Sequence, residues 1–501
     1  MKKILLLLVT VVLAVSAAFA VGCGSGAAFK KPSMTDHGAL ISDGGFLAET
    51  EKYVYVINGT GVSTNDNTFG APVKGSLVAV DKSTLGGEVK SEVVVPKLFV
   101  ASDYTAGIKI SGEYVYFASP STHRNSSGSI ANDELAFQRA KLDGTQDKND
   151  EFFGVASLST KYRITEKDGV VYIIYNDTAD SAVKVYDTSA RTTAVVAKTD
   201  DKNNEAVKNA SGKDVYLSMG DVTFAENNGD VALFYTVKIY DEKYFEDKAA
   251  SEGYSRSAAS YNAVYAVNAK GEAVKVLDGE KGEITYAITL VTNGYVFYTA
   301  TPANGTAKTY VKAVKDIFND GVSAEEVRNT TYATSGVIIE STSEVYYYDA
   351  DNDYVIKSTL VGDERGVKTN VYKSEKVSSL IAVKDGYVYY NNASGEIARA
   401  ELNNENAIEQ RISAGSVNTS WYAPEFVTAN GTTYIFYLDT TTKGSSYVWF
   451  TDIAETNITG EDADDDGKND SFWFEGEKLA GVMLAADRAN AAVAAIGDIA
   501  S

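Results

Sequence analysis

The sequence predicts an all-β protein: a β-propeller of eight blades, each of four antiparallel strands, with seven blades as the alternative count. Three observations predict it. A Tyr-rich strand motif recurs eight times along the 501 residues. The clearest recurrences share one internal order of four extended runs. Helical periodicity is nearly absent before residue 479.

The motif is plainest in Gly386-Tyr-Val-Tyr-Tyr390, between the apolar run Leu380–Val383 and the polar turn Asn391–Gly395. Aromatic and β-branched residues bounded by Gly and Asn make a strand. Its equivalents centre on Tyr55, Tyr116, Tyr172, Leu233, Phe297, Tyr347, Tyr389 and Ile435. The spacing ranges from 42 residues (347 to 389) to 64 (233 to 297), a period that suits propeller blades. In the seventh unit the four runs are Ser379–Val383, Tyr387–Tyr390, Ile397–Glu401 and Ile408–Ile412. In the third they are Lys161–Ile164, Val170–Tyr175, Ala182–Tyr186 and Thr193–Ala197. The turns Asp168-Gly, Asn293-Gly, Asp385-Gly and Asn430-Gly are hairpin signals leading into each central strand. A four-stranded sheet cannot bury both faces alone, so neighbouring blades must stack. Two or three sandwiches in series are the alternative. The regular order within units and the lack of a Pro- or Gly-rich linker between residues 41 and 478 argue against them.

Composition agrees. Tyr is used 33 times, against 19 Phe and 3 Trp, and 44% of residues are hydrophobic. Tyr suits half-buried strands whose edges meet water, and most of these rings are expected to pack between sheets. Asp and Glu total 68 against 46 Lys and Arg, a net charge of -22. That balance lacks the basic footprint of nucleic-acid binding; it reads first as a solvated acidic surface, with cations or basic partners as the alternative.

The N-terminus reads as a leader. Met1-Lys-Lys3 is basic, Ile4 to Phe19 is almost wholly apolar, and Ala20-Val-Gly-Cys23 follows. The Cys after small residues resembles the lipobox of bacterial lipoproteins, with Ala20 where Leu is commonest. The resemblance implies a signal peptide over 1–22, lipid on Cys23, a tether over 23–40 and a place on the extracytoplasmic face of a bacterial cell membrane. Cys23 is the only cysteine, which rules out an intramolecular disulfide. Ala18-Phe-Ala20 also fits an ordinary signal-peptidase site. Taken whole, the chain resembles bacterial lipoproteins that carry a Tyr-rich propeller, here over 41–478, on a lipid tether. An Ala-rich tail occupies 479–501.

One local motif carries chemistry. Asp462-Ala-Asp464-Asp-Asp466-Gly467-Lys468-Asn-Asp470 sets carboxylates at positions 1, 3, 5 and 9, Gly at 6 and a carbonyl, from Lys468, at 7. It resembles the Ca²⁺ loop of EF-hand and dockerin-type proteins. Trp473 stands where those loops have a bidentate Glu, and Glu475 is the substitute on offer; the flanks read as strands. An oxygen-only site suits Ca²⁺. The alternative is a solvated acidic hairpin tip. Asp349-Ala-Asp351-Asn-Asp353 is a weaker echo, and Asp143 to Asp150 reads as a plain loop.

Catalytic signals are thin. His37 and His123 sit in polar segments, and no Gly-x-Ser-x-Gly elbow, phosphate loop or His-Glu-x-x-His helix is present. Two long excursions offer a binding face: Gly59–Gly75, with Asn65, Asp66, Asn67 and Phe69, and Pro120–Glu134, with Arg124 and Asn125. Long loops in tight blades often carry function; tolerated insertions are the alternative. Tyr244–Tyr261 is a third excursion. The expected function is a surface binding module for a glycan, a peptide or a membrane protein. The competing readings are an accessory or sensor subunit of a transporter or receptor, and an enzyme acting on extracellular glycans.

Overall fold

In the computed structural model, strands run from Leu47 to Lys478 and form eight antiparallel blades in a ring. Described residues lie within 46–479, excluding 58–76, 96–106, 121–134, 143–149, 156–159, 199–215, 224–232, 241–260, 268–270, 280–283, 328–335, 418–422, 439–447 and a few single or paired positions.

All eight motif centres fall in the second strand of a blade, from Tyr55 in Tyr53–Ile57 to Ile435 in Thr432–Leu438. The third and seventh units match the expected runs closely: Tyr162–Lys167, Val170–Asp177, Ala182–Asp187 and Thr192–Lys198 in one, Val377–Lys384, Tyr387–Asn392, Ile397–Glu401 and Gln410–Arg411 in the other. In the fourth unit the second strand is described over Leu233–Tyr240, and residues 230–232 of its motif lie outside the described residues. Three of the Asx-Gly turns have positive φ at both residues, as in Asp385 (52°) and Gly386 (83°). This backbone matches the twist of the flanking strands, and Asx and Gly tolerate it best. Asn293 lies outside the described residues.

Hydrophobic clusters join neighbouring blades. Tyr116, Phe137, Tyr162 and Tyr175 link blades 2 and 3; Phe297, Val345 and Tyr347 link blades 5 and 6; Tyr389, Ile435 and Phe474 link blades 7 and 8. Tyr55, Tyr235, Tyr265, Tyr347, Tyr389 and Tyr390 are among the largest fully buried side chains. Burial of each such ring contributes about 1.5–3 kcal/mol.

Among the described residues, the ring closes without exchanging a strand. Blade 1 takes all four of its strands from 47–95, and blade 8 takes its four from 425–478. Closure therefore rests on side chains. Val427, Tyr434, Phe436 and Phe450 of blade 8 pack with Tyr55, Val78 and Val80 of blade 1 in one cluster. Asn430 Nδ2 lies 3.3 Å from the carbonyls of Lys82 and Ser83. Gly86, at φ +87°, leaves room for the Tyr434 hydroxyl: a Cβ there would stand 2.8 Å from it.

Strand direction alternates within each blade. Connections from first to second strand and from third to fourth therefore emerge at one end of the ring, here the turn end. Connections from second to third strand emerge at the other, the loop end.

Candidate functional site

The acidic motif sits on a hairpin that leaves blade 8 and joins blade 7. After its third strand, Val448–Asp452, blade 8 projects Ile458–Glu461 and Ser471–Phe474 before its fourth strand, Gly476–Lys478. The hairpin extends blade 7 to six strands, pairing in parallel with Gln410–Arg411. Strands flank the loop, as the sequence reading expects.

Arg399, on the third strand of blade 7, locks this crossing. Its side chain is only 4% exposed. Nε donates to Gln410 Oε1 at 2.6 Å and Nη1 to the Ile453 carbonyl at 3.1 Å, while Nη2 binds Glu455. The guanidinium lies 4.1 Å from the Tyr387 ring centre and 4.8 Å from that of Phe474. A buried cation with three partners and two aromatic faces fixes the hairpin's position.

Within the loop, one carboxylate oxygen each from Asp462, Asp464 and Asp470 lies within 4.8 Å of the others. Backbone amides fold the loop around them. Gly467 N–H donates to Asp462 Oδ2 at 2.7 Å, and Ala463 N–H to Asp470 Oδ2 at 2.9 Å. Gly467 has φ +85° and Asp465 φ +59°. Asp466 is not in the converging trio; its Oδ1 accepts from Lys468 N–H at 2.8 Å. Three oxygens at this separation fit a hard cation that completes its shell with carbonyls or water. Trp473 is a strand residue opposite Thr459 and Arg411, and Glu475 is exposed after that strand.

The other acidic turns differ. In the weaker echo, Asp349 accepts from Asp351 N–H and Asn352 Nδ2, and Asp353 accepts from the Tyr348 hydroxyl, so these carboxylates hold their own hairpin together. Asp150 is no loop residue: it opens the strand Asp150–Val155 and bonds two arginines.

A polar cleft of about 500 Å³ overlies the closing seam at the turn end, lined by Lys52, Tyr53, Lys82, Ser83, Thr428 and Asn430 among others. Lys82 is paired with Glu49 there.

Asn65, Asp66, Asn67, Phe69, Arg124 and Asn125 lie outside the described residues, as do Cys23, the leader, the tether and the tail beyond Leu479. The ends of their flanking strands are described. Residues 58–76 join Tyr53–Ile57 to Leu77–Asp81; 121–134 join Tyr114–Pro120 to Leu135–Lys141. Residues 241–260 join Leu233–Tyr240 to Tyr261–Val267. All three are second-to-third connections and leave from the loop end. Sequence reasoning found the excursions but not that they share an end. It missed Arg399, since a lone Arg in an alternating strand carries no mark of what it will face.

No protein-family model matches the chain, and no curated protein matches it. Among solved structures it is similar to Porphyromonas gingivalis dipeptidyl peptidase 4, at 10% identity over 85% of this chain and 61% of that one, with a TM-score of 0.42. It is similar to a puromycin-hydrolyzing peptidase of Mycobacterium tuberculosis at 10% identity over 76% and 53%, with a TM-score of 0.36. It is also similar to the computationally designed Ika8 protein at 12% identity over 83% and 98%, with a TM-score of 0.37. The chain spans about half the length of the puromycin hydrolases it matches. Identity at this level carries nothing about activity.

Proposed function

We propose that the chain is an extracytoplasmic propeller, held to a bacterial cell membrane by lipid on Cys23, that binds a glycan, a peptide or a membrane protein through its loop end. The observation that supports this reading most is the shared origin of the three long second-to-third connections, 58–76, 121–134 and 241–260, at one end of the ring. Long connections set side by side on a scaffold make a recognition surface, because the scaffold bears the ordering cost once for all of them. Calcium at Asp462, Asp464 and Asp470 would fix the hairpin that ties blade 8 to blade 7, a supporting role away from the loop end.

The binding test is an array of glycans and peptides probed with the detergent-solubilised protein, with calcium and then with chelator. Saturable binding that persists in chelator supports recognition away from the acidic loop. Binding abolished by chelator while the protein stays folded would move the site to the acidic loop. The anchoring test is Cys23→Ser: processing and membrane retention should both be lost, and unchanged retention would sink the lipid anchor.

A further inference from the structure

The tetrapeptide Ala-Asn-Gly-Thr occurs twice, at 303–306 in blade 5 and at 429–432 in blade 8. The two copies are identical in sequence, and the fold holds them differently. Residues 303–307 connect the second strand of blade 5, Tyr295–Pro302, to its third, Lys308–Ala313, and so lie at the loop end. All five are exposed. None of them pairs with a neighbouring strand: the ladder on one side stops at Pro302 opposite Ile284, and on the other at Ala300 opposite Lys308. Among the described residues, no hydrogen bond holds the Asn304 side chain or the Gly305 N–H.

The second copy is pinned. Ala429 pairs with Thr432 across the ladder of blade 8, so Asn430 and Gly431 are the whole of a two-residue hairpin loop. Both have positive φ, 52° and 78°, as that turn requires. The Asn430 side chain is also engaged. Its Nδ2 lies 3.3 Å from the carbonyls of Lys82 and Ser83 and 3.4 Å from that of Leu85.

This difference matters because asparagine before glycine can react with its own backbone. The glycine nitrogen, having given its proton to water or hydroxide, attacks the asparagine Cγ. The Cγ–Nδ2 bond breaks, and ammonia leaves with a proton from solvent. The product is a five-membered succinimide. Water then opens the ring at one of its two carbonyls. Opening at Cγ gives aspartate, and opening at the main-chain carbonyl gives isoaspartate, whose backbone runs through Cβ. Water is the only co-reactant, and nothing is oxidised or reduced. Glycine favours the attack because no Cβ obstructs the approach of Cγ to the nitrogen. The asparagine side chain must also be free to swing onto that nitrogen, and the backbone on either side must be free to follow. Asn304 meets both conditions, as exposed loop tips do. Asn430 meets neither.

We propose that Asn304-Gly305 is a site of spontaneous deamidation in the folded protein, and that Asn430-Gly431 is protected from it. Each event replaces a neutral amide by a carboxylate and so adds one negative charge to the loop end of a chain already at -22. The isoaspartate product also lengthens the backbone by one atom, which an unpaired connection absorbs without disturbing the ladders on either side. The chemistry stands independently of what the loop end binds.

The test is to age the full chain at mildly alkaline pH, folded and in guanidinium chloride, and to follow both peptides by mass spectrometry with enzymatic labelling of isoaspartate. In the unfolded chain the two identical tetrapeptides should convert at like rates. In the folded chain Asn304 should convert about tenfold faster than Asn430, the factor expected from the loss of roughly one hydrogen bond before reaction. Isoaspartate should appear at Asn304. Gly305→Ala should slow conversion there at least about tenfold by obstructing the attack. The new Cβ stands 3.3 Å from that of Pro302, a contact met by a shift of a few tenths of an ångström. Its urea midpoint checks that the ring is intact. Equal rates at the two sites in the folded chain would overturn the proposal. So would an inert Asn304 in the folded chain when the unfolded chain converts, or conversion indifferent to Gly305→Ala.

Discussion

Glu425 makes the closing seam of the ring sensitive to pH. It opens the first strand of blade 8, Glu425–Ala429, opposite Phe436. Strand alternation puts it on the same side as Val427 and Ala429, which pack in the cluster joining blades 8, 1 and 2. Among the described residues no hydrogen bond or ion pair reaches its carboxyl. Burial alone raises it from 4.5 to about 7. An acid raised on folding binds its proton more tightly in the folded state than in the unfolded one. Its neutral form is kept in both states below pH 4.5, so the seam is unpenalised there. Stability then falls as pH climbs from 4.5 through about 7 and levels off above. A rise of that size corresponds to a loss on the order of 3 kcal/mol. Glu425→Gln removes the titration. Urea midpoints of wild type and variant, measured from pH 4.5 to 8.5, should coincide at the acid end and diverge towards pH 8, with the variant the more stable. The general repulsion within a chain of net charge -22 acts on both and cancels in the difference. Parallel curves across the range would refute the reasoning.

Other expectations follow from the same contacts. Arg399→Lys keeps the charge but cannot reach Gln410, Ile453 and Glu455 together, and should cost about 2–4 kcal/mol by urea denaturation; a loss below 0.5 kcal/mol, roughly the scale of a surface pair, would mean the hairpin is held some other way. Gly86→Ala must adopt a left-handed backbone and displace the Tyr434 hydroxyl, so a loss of about 1–3 kcal/mol is expected. Excess calcium should raise the midpoint by about 2–3 kcal/mol equivalent at a hundredfold over its dissociation constant, and Asp464→Asn should abolish the rise. An equal midpoint in calcium and chelator would rule the ion out.

Much of the fold is legible in the sequence because its signals are local. Tyr, Val and Ile in alternation fix strands, and Asp385-Gly386 or Asn430-Gly431 fixes a hairpin through φ alone. Eight motif centres therefore land in eight second strands. The illegible parts depend on partners distant in sequence. Nothing around Ser471–Phe474 says that this strand pairs with Arg411 of blade 7 rather than within blade 8. Arg399 reads as one polar residue in Ile397–Glu401 until Tyr387, Phe474 and Glu455 are brought around it. Asp150 looks like the end of a polar turn because its partners Arg139 and Arg191 come from two different blades. The acidic loop was visible as a motif, yet which three of its carboxylates converge depends on a backbone that turns at Asp465 and Gly467.

The claim that recognition occurs at the loop end is tested most directly by photo-crosslinking in cells. A photoreactive residue placed at Phe69 or Arg124 reports on the second-to-third connections, and one at Lys468 on the opposite end. Recognition at the loop end predicts specific adducts from Phe69 and Arg124 and none from Lys468. Adducts from Lys468 alone would contradict it and put the partner on the acidic hairpin.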